Sequence, residues 1–144
     1  MDGSRRPLRS VLRAGNGLLL AFPIALFAFA LATDIVYLRT AELQWTNFSA
    51  WSIAIALAFG AVALAFALLG ALFSLRSRRR GLRLSYAVAL AVMSVAGLFN
   101  AFKHSQDGWS SVGSLGVVLS AVSTGAALVA GVIAYSGAMD EEDA

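Results

Sequence analysis

Four stretches of this chain carry no charged side chain: residues 14–33, 43–75, 84–102 and 108–139. A helix needs about 20 mainly apolar residues to cross roughly 30 Å of hydrocarbon. Each stretch therefore holds one crossing, and none comfortably holds two. A soluble helical bundle would need a polar stripe along every helix, whereas these stretches offer only scattered Ser, Thr and Gly. The charged fraction is 13%, about half that of an ordinary soluble domain. The fold class expected is all-α, a four-transmembrane-helix antiparallel bundle. Its helices are placed at about 16–37, 48–75, 84–103 and 111–135, within a transmembrane domain spanning 16–136. A basic leader, 1–15, precedes it and an acidic tail, 137–144, follows.

Orientation follows from the basic residues, because cytoplasmic loops retain Lys and Arg. Of the 11 Lys and Arg, only Arg39 and Lys103 fall on one side. Arg5, Arg6, Arg9 and Arg13 of the leader and Arg76, Arg78, Arg79, Arg80 and Arg83 of the middle loop fall on the other. Both termini are thus expected in the cytoplasm of a bacterial cell, with the protein multi-pass in the inner membrane. Trp45, Trp51 and Trp109 lie opposite with Phe48 and Tyr37, as an outer aromatic belt, while Tyr86 and Tyr135 lie near the cytoplasmic boundary. The basic bias is accounted for by topology, so no nucleic-acid partner is expected.

The leader, MDGSRRPLRSVLR, reads either as a short amphipathic helix on an anionic membrane surface after Pro7 or as a disordered basic arm. The first apolar segment ends in Asp34, Tyr37 and Arg39 instead of a small-residue cleavage stretch, so it reads as a retained helix. Pro23 implies either a bend in that helix or a start near Leu20 that puts the proline in the permissive first turn. Asn47 or Ser49 is expected to cap the second helix. Asn47-Phe48-Ser49 also matches the glycosylation sequon, a weak signal so close to the membrane.

Lipid supplies no hydrophobic drive between helices, so small residues mark close contacts. The clearest helix-packing face is Gly116, Ser120 and Thr124, beside a second line of Ala121 and Gly125. Gly60, Ala63, Ala67 and Ala71 form another line, as do Met93, Gly97 and Ala101. The Gly116 face serves either packing within the chain or contact with a partner or second copy.

Ionisable and polar groups inside membrane segments are where function is sought first. Asp34 lies about 31 Å of helix after Arg13, at the outer interface, where its charge is cheaper than at the bilayer centre. Asn100 and His104 share a helix face at four-residue spacing. Asp34, Asn100 and His104 can therefore converge in one outer-side polar cluster, serving either as a structural network between the first and third helices or as a proton-relay or ligand pocket. His104 is the only histidine, so a bis-histidine haem held by this chain alone is excluded. Met93 reads as packing. No zinc, di-metal, phosphate-loop or nucleophile-elbow pattern occurs, and no cofactor or metal is expected. Ser94, Ser120 and Ser123 are expected to return hydrogen bonds to helix carbonyls. The absence of cysteine rules out disulfides and thiolate ligands.

The run FPIALFAFALATDIVYLRT at 22–40, followed by Trp45 and the 51–70 segment, resembles a bacterial four-helix membrane family catalogued as domain of unknown function 2231. The resemblance covers residues 16–136 and rests on Phe22-Pro23, Asp34 and the Asn100 region. That family's first helix typically opens with a histidine-proline pair and carries another histidine just before the Phe-Pro. Here those positions read Asn16-Gly17 and Ala21, and Ser85 or Tyr86 stands near the place of its third-helix histidine. The chain thus resembles a divergent member lacking the usual histidines, which puts any metal or haem role in doubt. The resemblance implies the architecture and no activity.

The function expected is noncatalytic: an accessory or structural subunit of a larger membrane complex, with the lipid bilayer and membrane proteins or a second copy as partners. The alternative is a small oligomeric transporter or ligand-binding protein using the outer cluster, with a membrane enzyme third. The orientation is directly measurable because the chain has no cysteine of its own. On intact cells, an impermeant maleimide should label Asp107→Cys and spare Ser77→Cys; the reverse pattern would invert the topology.

Overall fold

Inside hydrocarbon, every backbone N–H and C=O must find its partner within its own segment, which makes long apolar runs helical. A computed structural model describes residues 5–73, 80–106 and 112–136 and contains four helices. These are α1 (Arg5–Thr40), α2 (Leu43–Phe73), α3 (Arg80–His104) and α4 (Ser114–Tyr135). All four are long and apolar enough to cross a membrane. The basic middle-loop residues Arg76, Arg78 and Arg79, the expected helix ends Leu75 and Ser111, Trp109, the first four residues and the acidic tail 137–144 lie outside the described residues.

Several boundaries move from the sequence-based placement. α1 starts at Arg5 and not near Asn16, so most of the leader is one continuous helix with the first crossing. Pro7 stands in its first turn, where a missing N–H breaks no bond. Pro23 is inside α1 and fully buried, which removes the late start near Leu20. α2 begins at Leu43, so Asn47 and Ser49 lie within the helix and cap nothing. Only Ala41 and Glu42 separate α1 from α2. Ala41 takes φ 56° there, a left-handed turn that ends one helix and redirects the chain into the next. Its N–H bonds Tyr37 O at 2.8 Å, and Glu42 N–H reaches Thr40 Oγ1 at 3.4 Å. α3 begins slightly earlier than expected, at Arg80, and α4 is preceded by Gly113 in extended conformation.

Each helix packs on two others: α1 and α3 both lie against α2 and α4. The pairs α1 and α3, and α2 and α4, face each other across the bundle diagonals. The interior holds Leu20 and Phe27 of α1, Ile53, Ala56 and Ala63 of α2, Leu90 and Met93 of α3, and Ala127 and Ala130 of α4. Many of the largest apolar side chains instead face outward, including Trp51, Phe66, Phe73, Phe99 and Val132. Phe22 and Phe59 stack at 4.2 Å across the α1–α2 seam.

Glycines let large side chains reach the centre. A Cβ on Gly97 would fall 2.6 Å from Phe27 Cζ and 3.1 Å from Leu57 Cδ2. Gly60 receives the end of Met93, and Gly131 receives Ile24. Gly116, Ser120 and Thr124 are buried within the bundle. The neighbouring line expected at Ala121 and Gly125 is instead exposed, because each step of one residue turns the helix by about 100°. Ser123, Ala127 and Gly131 take the inward positions.

Gly97→Ala should therefore destabilise the bundle by about 1–3 kcal/mol through overpacking against Phe27. Gly125→Ala, with nothing within 4 Å of the new methyl, should be neutral or slightly stabilising. Unfolding of the two variants in mixed detergent micelles checks the contrast.

Candidate functional site

Asp34 is wholly buried. The expected low cost of its charge is corrected on this point, because the side chain has no access to water. α1 continues to Thr40, about 9 Å of helix beyond Asp34, and α3 and α4 close over the carboxylate. An ionised carboxylate withdrawn from water costs several kcal/mol unless paired and hydrogen-bonded. Its partners come from across the bundle. Oδ1 lies 2.8 Å from His104 Nε2 of α3, and Oδ2 accepts from Ser120 Oγ of α4 at 2.5 Å. The side-chain exposures of His104 and Asp34 are 1% and 0%.

Asn100, one turn before His104, completes the set. Its Nδ2 donates to Ser120 Oγ at 2.7 Å. Its backbone carbonyl lies 2.9 Å from His104 Nδ1. The bonds close a circuit: Asn100 amide to Ser120 hydroxyl, Ser120 to Asp34, Asp34 to His104, and His104 back to Asn100. Three helices contribute, and the Asp34–His104 contact spans the α1–α3 diagonal, where the backbones make no close approach.

Both imidazole nitrogens face oxygen atoms, Nδ1 the Asn100 carbonyl and Nε2 the Asp34 carboxylate. A neutral ring has one N–H and an imidazolium two, so only the imidazolium can donate to both at once. One acceptor stays open: Asn100 Oδ1 is buried without a hydrogen-bond partner among the described residues.

Gly116 belongs to this site as well as to the packing face. A Cβ there would lie 3.2 Å from Val112 Cγ1, 3.8 Å from Asn100 Oδ1 and 3.9 Å from His104 Cε1. Thr124 Oγ1 bonds Ser120 O at 2.7 Å one turn further along α4. The two residue sets expected from sequence, Asp34, Asn100 and His104 on one hand and Gly116, Ser120 and Thr124 on the other, thus meet at one end of the bundle. Ser120 is the member sequence reasoning missed. It was expected to bond a helix carbonyl, as Ser123 does with Leu119 O at 2.9 Å. The available signal was depth: Ser120 stands about as far from the start of α4 as Asp34 does from the end of α1. Ser94 Oγ also departs from expectation, being buried without a partner among the described residues. Arg39 is exposed and outside the circuit.

Nearer the other end, the same three helices meet again. Tyr135 Oη donates to Gly17 O at 2.8 Å. Tyr86 lies beside Asn16 and Tyr135, but its buried hydroxyl makes no well-formed hydrogen bond. Met93, read from the sequence as a packing residue, is fully buried, with its methyl over Gly60. Among the described residues, no three of His, Cys, Asp or Glu gather at one place.

Removing one partner from a buried pair leaves the other uncompensated. Asp34→Ala should therefore cost about 3–5 kcal/mol of bundle stability, and Ser120→Ala about 1–3 kcal/mol. A double-mutant cycle between these positions should give a coupling on the order of 1 kcal/mol or more. Simple additivity in reversible unfolding would show that the circuit does not act as a unit.

Comparison with curated proteins and with solved structures returns no match. The family profile described as "Predicted membrane protein (DUF2231)" matches residues 17–139. That match spans nearly the whole four-helix region, and the chain belongs to this family of predicted membrane proteins.

Proposed function

We propose that the protein is a noncatalytic integral membrane protein, an accessory or structural subunit of a larger complex in the bacterial inner membrane. The observation carrying this reading is the closure of the polar circuit. Asp34, His104 and Ser120 direct their polar atoms at one another and at Asn100, and the bundle encloses all four side chains, which leaves no face of the group open to a substrate. Beyond the circuit the buried core is mainly apolar, with Phe27, Ile53, Leu90 and Met93, and the hydroxyls of Thr33, Ser52, Ser123 and Thr124 bond carbonyls of their own helices. Two grooves along α3 and α4 are lined, among the described residues, by side chains outside the circuit.

The four helices run antiparallel, with both termini cytoplasmic. Three contacts of α1 with α4 support the antiparallel order: Gly17 with Tyr135, Ile24 with Gly131, and Asp34 with Ser120. Exposed Ala121 and Gly125 leave one strip of α4 backbone open to close approach by a partner helix. Within its family the chain is a divergent member, with Asn16-Gly17 and Ala21 in place of first-helix histidines. One observation favours the second reading, a small oligomeric transporter or ligand-binding protein: Asn100 Oδ1, buried with no hydrogen-bond partner among the described residues. Four helices are few for a transporter, so that reading needs at least a dimer.

Purification from native membranes in mild detergent, followed by mass spectrometry of co-eluting proteins, separates the readings. A stoichiometric partner set is expected. A pure monomer or dimer would count against the subunit reading. An absorption spectrum of the same sample reveals haem or pigment brought by partners.

A further inference from the structure

The outer surface between α3 and α4 is grooved close to the end that carries Asn100 and His104. A groove of about 390 Å³ is lined by Phe99, Phe102, Leu115 and Leu119, with Lys103 and Gln106 at its polar end. Lys103 is next to the last residue of α3's membrane-crossing length, so a crossing α3 would carry it at one end of its span. Phe99 lies one helical turn deeper, about 6 Å toward the bilayer centre. The polarity of the groove therefore matches that of a phospholipid lying along it.

Lys103 Nζ has one weak bond, to Gln106 Oε1 at 3.4 Å. Among the described residues, no carboxylate lies within ion-pair distance of it. An ammonium group at the polar end of an apolar groove, its stem lying along aromatic and leucine side chains, is complemented by a phosphate, which supplies negative charge and acceptor oxygens. The circuit cannot serve, because Asp34 is turned inward and held by His104 and Ser120. We propose that this groove is a binding site for one anionic phospholipid. Its phosphate meets Lys103 and Gln106, and an acyl chain lies against Phe99, Phe102, Leu115 and Leu119. The lipid covers the α3–α4 seam and shields Asn100 and His104 behind it.

The inference rests on the helices crossing a bilayer, which carbonate extraction of the same membranes tests separately. The intact protein is purified in mild detergent or nanodiscs with mixed phosphatidylglycerol and phosphatidylethanolamine, and bound lipid is counted by native mass spectrometry. The wild type should retain one phosphatidylglycerol per chain. Lys103→Gln should lower that retention at least fivefold, Lys103→Arg should preserve it, and Leu119→Trp should abolish it by filling the groove. Unchanged unfolding curves for the Lys103 variants keep the comparison independent of folding. Equal retention of both lipids, or retention indifferent to Lys103→Gln and Leu119→Trp, would overturn the proposal. So would a second copy of the chain found over the groove by cross-linking.

Discussion

Taking a carboxylate out of water inside a low-dielectric bundle costs more than most single contacts return. That cost organises one whole end of this molecule. Asp34 has no access to solvent, so α3 must deliver an imidazole and α4 a hydroxyl to the same point. Meeting those demands fixes the rotation of three helices and their relative depth. The contact reaches across the α1–α3 diagonal, where backbone packing alone applies no force. The polar circuit is thus to this end of the bundle what close packing is to its middle.

The middle relies on shape. Lipid tails are as apolar as leucine, so helices associate there through van der Waals fit more than through exclusion from water. Large side chains reach the centre because glycines receive them, Phe27 at Gly97 and Met93 at Gly60, while Gly131 receives the half-buried Ile24 at the edge of the core. Small residues line the inner faces of α2 and α4, while Phe66, Phe73, Leu128 and Val132 face outward. This distribution, with bulk outside and small residues within, suits a solvent that itself rewards apolar surface.

Closure of the circuit also shapes what the site can do chemically. A carboxylate, an imidazole and a hydroxyl resemble a catalytic set by composition alone. Here each is engaged by another, and the bundle encloses all three. Composition at a site is therefore a weaker guide to chemistry than the direction in which its donors and acceptors point.

The sequence by itself determined the four helices, because charge-free runs of crossing length have one stable form in hydrocarbon. It also singled out Asp34, Asn100 and His104, since polar groups at the edge of apolar helices are few. Helix ends were less legible: Ala41 turns the chain in two residues, and a left-handed alanine has no compositional mark. Tertiary structure alone decided that Asp34 is enclosed by neighbouring helices, that Ser120 bonds Asp34 and not its own helix, and that Ala121 and Gly125 face out. Each of these depends on how a helix is rotated about its axis. Rotation is settled by the neighbours it must satisfy, which no one-dimensional pattern of small and polar residues specifies.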